Sequence, residues 1–261
     1  MAGRPGAAPA GPPQQTPALR PAGMVAPGRS QGPAHDERTS VGQDAGKLVM
    51  FDFDGVIVDS LDVFTVAFLD ACAAAGVPGF TTQEDLLAIM EDNFYDGMRA
   101  RGVDDDRVAE VLRRFGEALV RARHWLKPFP LVPQVIEELG GSRTVVVVTS
   151  SPGEVVEGWL RGHQVTGIAE VAGAETAHSK VEKIHALTAR FPGQDVYWYV
   201  GDTAGDIREA RAAGVTPLGV AWGWHEPEML VAAGAERIAA SPAELLTIVA
   251  PELSVDFFGA G

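Results

Sequence analysis

Four short apolar runs most constrain how this chain can fold: Leu48 to Phe51, Thr144 to Val148, Val196 to Val200 and Pro217 to Ala221. Each is apolar and rich in strand-forming side chains, without the period-two alternation of a half-exposed strand. Each therefore predicts a strand covered on both faces. Helical patterns lie between them. Buried strands alternating with helices predict an α/β fold built on a doubly wound parallel sheet, with its chemistry at the C-terminal ends of the strands.

Polar residues gather at those ends. Asp52-Phe53-Asp54-Gly55-Val56 follows the first run and sets two carboxylates two residues apart. On an extended segment, residues i and i+2 share a face, so both acids would project into one small volume. They would repel there unless a cation neutralised them or one kept its proton. Thr149 and Ser150 follow the second run, Lys180 closes Ala177-His178-Ser179-Lys180, and Gly201-Asp202-Thr203-Ala204-Gly205-Asp206 follows the third. Taken singly these residues have plainer readings. Asp202 suits a helix cap, Asp206 a first-turn acid favoured by the helix dipole, and Thr149 with Ser150 the end of a strand. The chain's lysines stand only at 47, 127, 180 and 183, which makes the position of Lys180 informative.

In their order and in the elements they follow, these segments resemble the four motifs of the haloacid dehalogenase superfamily, over about residues 47 to 250. The resemblance implies a phosphoryl-transfer site. In it, Asp52 is the nucleophile that forms an aspartyl-phosphate, and Asp54 is the general acid and base. Mg²⁺ is the implied cofactor, held by Asp52, the backbone carbonyl of Asp54 and Asp202, with Asp206 supporting the metal or its waters. Thr149, backbone N–H groups near Ser150, and Lys180 are implied to bind the phosphoryl oxygens. Lys183, on nearly the same helical face as Lys180, rivals it for that role.

Departures from relatives narrow the reaction. Dehalogenases proper lack the second acid and Mg²⁺, phosphonoacetaldehyde hydrolases need a cap lysine that residues 60 to 126 do not contain, and β-phosphoglucomutase-like enzymes place a histidine where this chain has Phe64. Gly201 to Val215, Val220 to Gly223 and Ala240 to Leu246 look like the phosphoglycolate phosphatase-like branch. The expectation is a Mg²⁺-dependent phosphatase of a small phosphorylated metabolite. A phosphosugar mutase and a regulatory protein that kept the fold without catalysis stand as alternatives.

Between Ser60 and Lys127 the chain reads as helix throughout, with one apolar stripe at Phe64, Phe68, Ala71 and Cys72 and another from Val108 through Leu126. This segment, 60–127, is expected to form a helical cap inserted after the first strand. It would return at Lys127-Pro128-Phe129-Pro130 to a catalytic core of 47–59 and 128–253. Arg99 and Arg101 could meet a substrate carboxylate, although solvation suits them better. Residues 1 to 34 contain 22 Ala, Gly or Pro, so 1–46 is expected to be a disordered tail. A targeting role for it lacks an amphipathic pattern, and Met24 is an alternative start.

Composition excludes several classes. The formal net charge of -14 makes nucleic acid and anionic membranes poor partners. No apolar run approaches the roughly 20 residues of a membrane helix, so cytoplasm is the expected location. A single cysteine, Cys72, excludes an internal disulfide and suits a core position. The histidines show no ligand spacing, which leaves them surface or packing roles. Trp222 and Trp224 are expected beside the site entrance.

Overall fold

The computed structural model describes residues 47–193 and 196–253, so the expected tail at 1–46 lies outside the described residues. In chain order the elements are β1 (Lys47–Phe51), β2 (Val58–Asp59), α1 (Leu61–Ala74), α2 (Gln83–Ile89), α3 (Phe94–Ala100) and α4 (Asp105–Ala122). Next come a short 3₁₀ turn, β3 (Lys127–Pro128), α5 (Val132–Gly140), β4 (Thr144–Val148), α6 (Gly153–Gly162) and β5 (Ile168–Ala172). The chain continues through α7 (Lys180–Arg190), β6 (Val196–Gly201), α8 (Ala204–Ala212), β7 (Thr216–Val220), α9 (Pro227–Ala233), β8 (Arg237–Ala239) and α10 (Pro242–Val249).

Six strands form one parallel sheet in the order β5-β4-β1-β6-β7-β8. This is the doubly wound α/β arrangement read from the apolar runs, with β1 at its centre. Alternate β1 residues explain the missing period of two. Val49 and Phe51 pack into one core, while Leu48 and Met50 pack into another on the opposite face, against Ile184 and Leu187 of α7 and Ala210 of α8. These four β1 side chains are fully buried. At roughly 1.5–3 kcal/mol each, their gross contribution is on the order of 10 kcal/mol, comparable with the whole net stability of a domain.

Two edge strands, β5 and β8, were not among the four predicted runs. Ile168-Ala169-Glu170-Val171-Ala172 and Arg237-Ile238-Ala239 carry charge and partial exposure, as edge positions permit, and so give a weaker apolar signal. A separate two-stranded antiparallel ribbon joins β2 to β3, pairing Val58 with Pro128 and Asp59 with Lys127. It brings together the two points where the chain leaves and rejoins the sheet. Between them the segment is not helix throughout but four helices. Gly76 and Gly79 lie between α1 and α2, and Gly102 between α3 and α4, all with positive φ. Phe64, Phe68, Phe94 and Phe115 pack edge-on or stacked at the centre of this helical insertion.

No helix among the described residues is long and apolar enough to cross a membrane.

Candidate active site

The chain order β1 to β4 to β5 runs outward on one side of β1, and β6 to β7 to β8 runs outward on the other. The direction of winding reverses around β1, so a crevice opens at the carboxyl ends of β4, β1 and β6. The sheet register continues one residue past these strands: Asp52 N–H donates to the Val200 carbonyl at 2.9 Å, and Thr149 N–H to that of Ala172 at 3.1 Å. Asp52, Asp54, Thr149, Ser150, Lys180 and Asp202 consequently line one cavity of about 20 Å³, closed from the helical insertion by Phe64 and Met90.

Asp52 is held at both oxygens. Phe53 N–H donates to Oδ1 at 2.7 Å, and Lys180 Nζ donates to Oδ2 at 2.7 Å. Burial pushes its carboxyl up to about 7, against the pull of Lys180 and with the push of Asp206. Asp54 lies past β1, in a tight loop closed by Gly55 N–H to the Val58 carbonyl. Burial raises its carboxyl to about 6, even though Ser151 Oγ donates to Oδ2 at 2.6 Å. Its other oxygen has no partner among the described residues. The mutual repulsion expected of Asp52 and Asp54 is therefore secondary. Desolvation, Lys180 and Asp206 all act on Asp52 more strongly than Asp54 does.

Asp202 is fully buried. Trp224 N–H donates to its Oδ2 at 2.8 Å, and its Oδ1 has no partner among the described residues. Burial, then the charges of Asp206 and Asp52, hold its carboxyl well above the usual range. Asp206 is the N3 residue of α8 and forms a capping box with Thr203. Its Oδ2 accepts from Thr203 Oγ1 at 2.8 Å, and its Oδ1 accepts from Lys180 Nζ at 2.5 Å and Tyr199 Oη at 3.2 Å. Burial opposes its ionisation, but Lys180 and these donors overcome burial and hold the carboxyl below the usual range. Asp52, Asp202 and Asp206 each offer an oxygen within 4.8 Å of the others.

The two lysines separate cleanly. Lys180 bridges Asp52 and Asp206, whereas Lys183 Nζ donates to the Thr149 carbonyl at 2.6 Å. Thr149 Oγ1 accepts from Ser151 N–H at 3.0 Å. Four acids, Asp52, Asp54, Asp202 and Asp206, face two lysines, so full ionisation leaves a local charge of -2. That surplus, the oxygen-only donor set and the orphaned Asp202 oxygen fit a hard divalent cation.

Sequence reasoning missed Ser151 and the backbone N–H of Trp224, which reach their acids across 97 and 22 residues of chain, and Tyr199, which reads as one more buried strand residue although it stands only seven residues from Asp206. Trp224 does flank the cavity, packed edge-on against Phe64 at 4.9 Å, and Trp222 Nε1 donates to the Val56 carbonyl. Of the surface and packing roles expected of the histidines, His225 takes a buried one. Its Nδ1 accepts from Ala204 N–H, and its Nε2 meets the Leu87 carbonyl, both at 3.0 Å, tying the start of α8 to α2. Arg99 and Arg101 pair with Asp105 and Asp85, each at 2.9 Å.

Known proteins share this architecture and sequence. A phosphoglycolate phosphatase of Synechococcus elongatus is 28% identical over 210 residues, covering 78% of this chain and 97% of its own length. A phosphoglycolate phosphatase of Vibrio parahaemolyticus is 28% identical over 221 residues, covering 78% and 96%. A haloacid dehalogenase-like family hydrolase from Streptococcus pneumoniae superposes with a TM-score of 0.65 at 22% identity, over 78% of this chain and 98% of that one. The family model for haloacid dehalogenase-like hydrolases matches residues 49–220, and the chain belongs to that family.

Proposed function

We propose that this protein is a phosphatase that hydrolyses the monoester of a small phosphorylated metabolite, with Mg²⁺, through an aspartyl-phosphate on Asp52. The observation that carries the proposal is the convergence of three buried carboxylates, Asp52, Asp202 and Asp206, within 4.8 Å around Lys180. The similarity to the phosphoglycolate phosphatases of Synechococcus elongatus and Vibrio parahaemolyticus supports the same chemistry and makes phosphoglycolate the first ester to try.

In the first step an Asp52 oxygen attacks phosphorus. The ester P–O bond breaks, and the departing alkoxide takes the proton of Asp54. In the second, the Asp54 carboxylate takes a proton from water, whose oxygen displaces Asp52 as inorganic phosphate forms. Asp54, near 6, is suited to exchange a proton at neutral pH. Ser151 orients it. Lys180 and the Thr149 hydroxyl would meet the phosphoryl oxygens together with the open backbone near Ser150, and Lys180 also holds Asp52 in line.

Asp52, Asp202 and the backbone carbonyl of Asp54 would hold Mg²⁺. When bound, the ion neutralises charge on the phosphoryl oxygens and on the crowded carboxylates. Asp206, whose oxygens are already engaged by Lys180 and Thr203, would act by positioning Lys180 and the 202–204 turn. Residues 60–127 are proposed as a cap over a core of 47–59 and 128–253, with Phe64 and Met90 excluding water.

The test is phosphate release from an ester panel with Mg²⁺ or with EDTA. EDTA should abolish turnover, and Asp52→Asn should lower it by about 10³-fold or more. Metal-independent hydrolysis, or a fully active Asp52→Asn protein, would defeat the proposal.

A further inference from the structure

A second cavity, of about 70 Å³, adjoins the phosphoryl chamber and shares Phe64, Met90 and Ser150 with it. A bound ester would place its leaving group there. At roughly 10–15 Å³ of such space per water-sized group, the cavity takes about five to seven heavy atoms. A short hydroxy acid or a triose has that size and a hexose does not.

Phe94 and Phe115 supply much of the apolar wall, and its polar groups come from Tyr95, Ser150, His178 and Lys183, of which Lys183 is the lysine. Lys183 is only 1% exposed. An ammonium carries three N–H donors, and the Thr149 carbonyl at 2.6 Å is its acceptor. Among the described residues no carboxylate lies within ion-pair distance of it, in contrast to Lys180 with two. Asp52, Glu175 and Glu209 act on it only at longer range, and a buried charge without a direct partner is costly, so an anion brought by the ligand would relieve that cost. The nearby guanidinium groups cannot substitute for it, because Arg99 and Arg101 are engaged by Asp105 and Asp85 outside this cavity.

We infer that Lys183 is a specificity-determining residue that receives the carboxylate of a carboxylated leaving group such as that of phosphoglycolate. The inference rests on the phosphatase reading and adds the residue that reads the leaving group's charge. Lys183 contacts the part of the substrate that departs, and Lys180 serves the part that is transferred.

The experiment compares kcat/KM of the full chain for 2-phosphoglycolate and 2-hydroxyethyl phosphate, which differ in having a charged or a neutral leaving group of similar size. A hydrogen-bonded charge contact of this kind corresponds to about 10- to 100-fold, so the wild-type protein should favour the carboxylate ester by that factor. Lys183→Gln keeps a donor for the Thr149 carbonyl and removes the charge. It should lose about 10- to 100-fold more on phosphoglycolate than on hydroxyethyl phosphate, chiefly through KM, with the neutral ester reading any damage to the phosphoryl chamber. Equal losses on both esters would mean that Lys183 only braces the Thr149 loop, and would overturn the inference while leaving the phosphatase reading intact. So would a wild-type protein indifferent to the carboxylate, a result that needs no variant. Failure to hydrolyse any ester would overturn the phosphatase reading and this inference with it.

Discussion

Asp202 is fixed by Trp224 N–H, which holds Oδ2 at 2.8 Å, and Gly55 and Gly223 stand where any side chain would run into its carboxylate. A Cβ added at Gly55 would fall 1.9 Å from Asp202 Oδ2, and Gly55 has φ +74, where a side chain adds strain of roughly 1–2 kcal/mol. Gly55→Ala should therefore displace the acid proposed to hold the metal. We expect at least about a 10²-fold loss of phosphate release, with a raised Mg²⁺ requirement. Full activity at unchanged Mg²⁺ affinity would show that Asp202 is not needed where it stands. Asp52, Thr149, Lys180 and Asp202 were legible as candidate residues, and they line one cavity, because each stands at the end of a strand or the start of a helix, positions that local patterns mark. Ser151 was not. Its hydroxyl meets Asp54 across 97 residues of chain, and nothing near Ser151 in sequence announces an acid.

At the scale of elements, α8 joins fold to site. Thr203 caps it by accepting from Asp206 N–H, and Asp206 answers with Oδ2 to the Thr203 N–H and hydroxyl. The same carboxylate holds Lys180, so the cap and the ion pair are one network. Thr203→Ala should cost about 0.5–2 kcal/mol, a fall in Tm of a few degrees for a domain of this size. It should also lower activity, because Asp206 loses a restraint. An unchanged Tm would separate the cap from the stability of the fold. The capping pattern is visible in Thr203-x-x-Asp206, but its second duty is not, since Lys180 arrives from α7. The four helices of the insertion were read as one continuous stretch. The two stripes marked buried faces of α1 and α4, while the positive-φ glycines at 76, 79 and 102 fall in the stretch between those stripes, where no apolar stripe was read.

For the whole molecule, the raised carboxyls link stability to pH and to metal. Asp54 rises from 3.8 to about 6 and Asp52 from 3.8 to about 7, both chiefly by burial. The folded state then binds protons more tightly than the unfolded chain. That stability is present below 3.8 and is lost as pH rises through the folded values. The surface acids Asp85 and Glu110, lowered to about 2 by hydrogen bonds, act in the opposite sense but below this window. Lys183, lowered from 10.5 to about 8 by burial, acts above it. In EDTA, Tm should fall between about pH 4.5 and 7.5, and added Mg²⁺ should raise Tm more at pH 7.5 than at pH 5 because binding displaces protons. A Mg²⁺ shift independent of pH would place the ion elsewhere.

The α/β class, the central strands and the candidate acids and lysine at their ends could be read from the amino-acid order. Buried strands must be apolar on both faces, and the residues that follow them are set by chain connectivity alone. Folding in three dimensions was needed to show which oxygens stay unpartnered, that Lys180 and Lys183 line different cavities, and that Asp206 is occupied by Lys180 and Thr203. Those outcomes depend on distances between side chains from separate elements, and packing sets such distances after the sheet has formed.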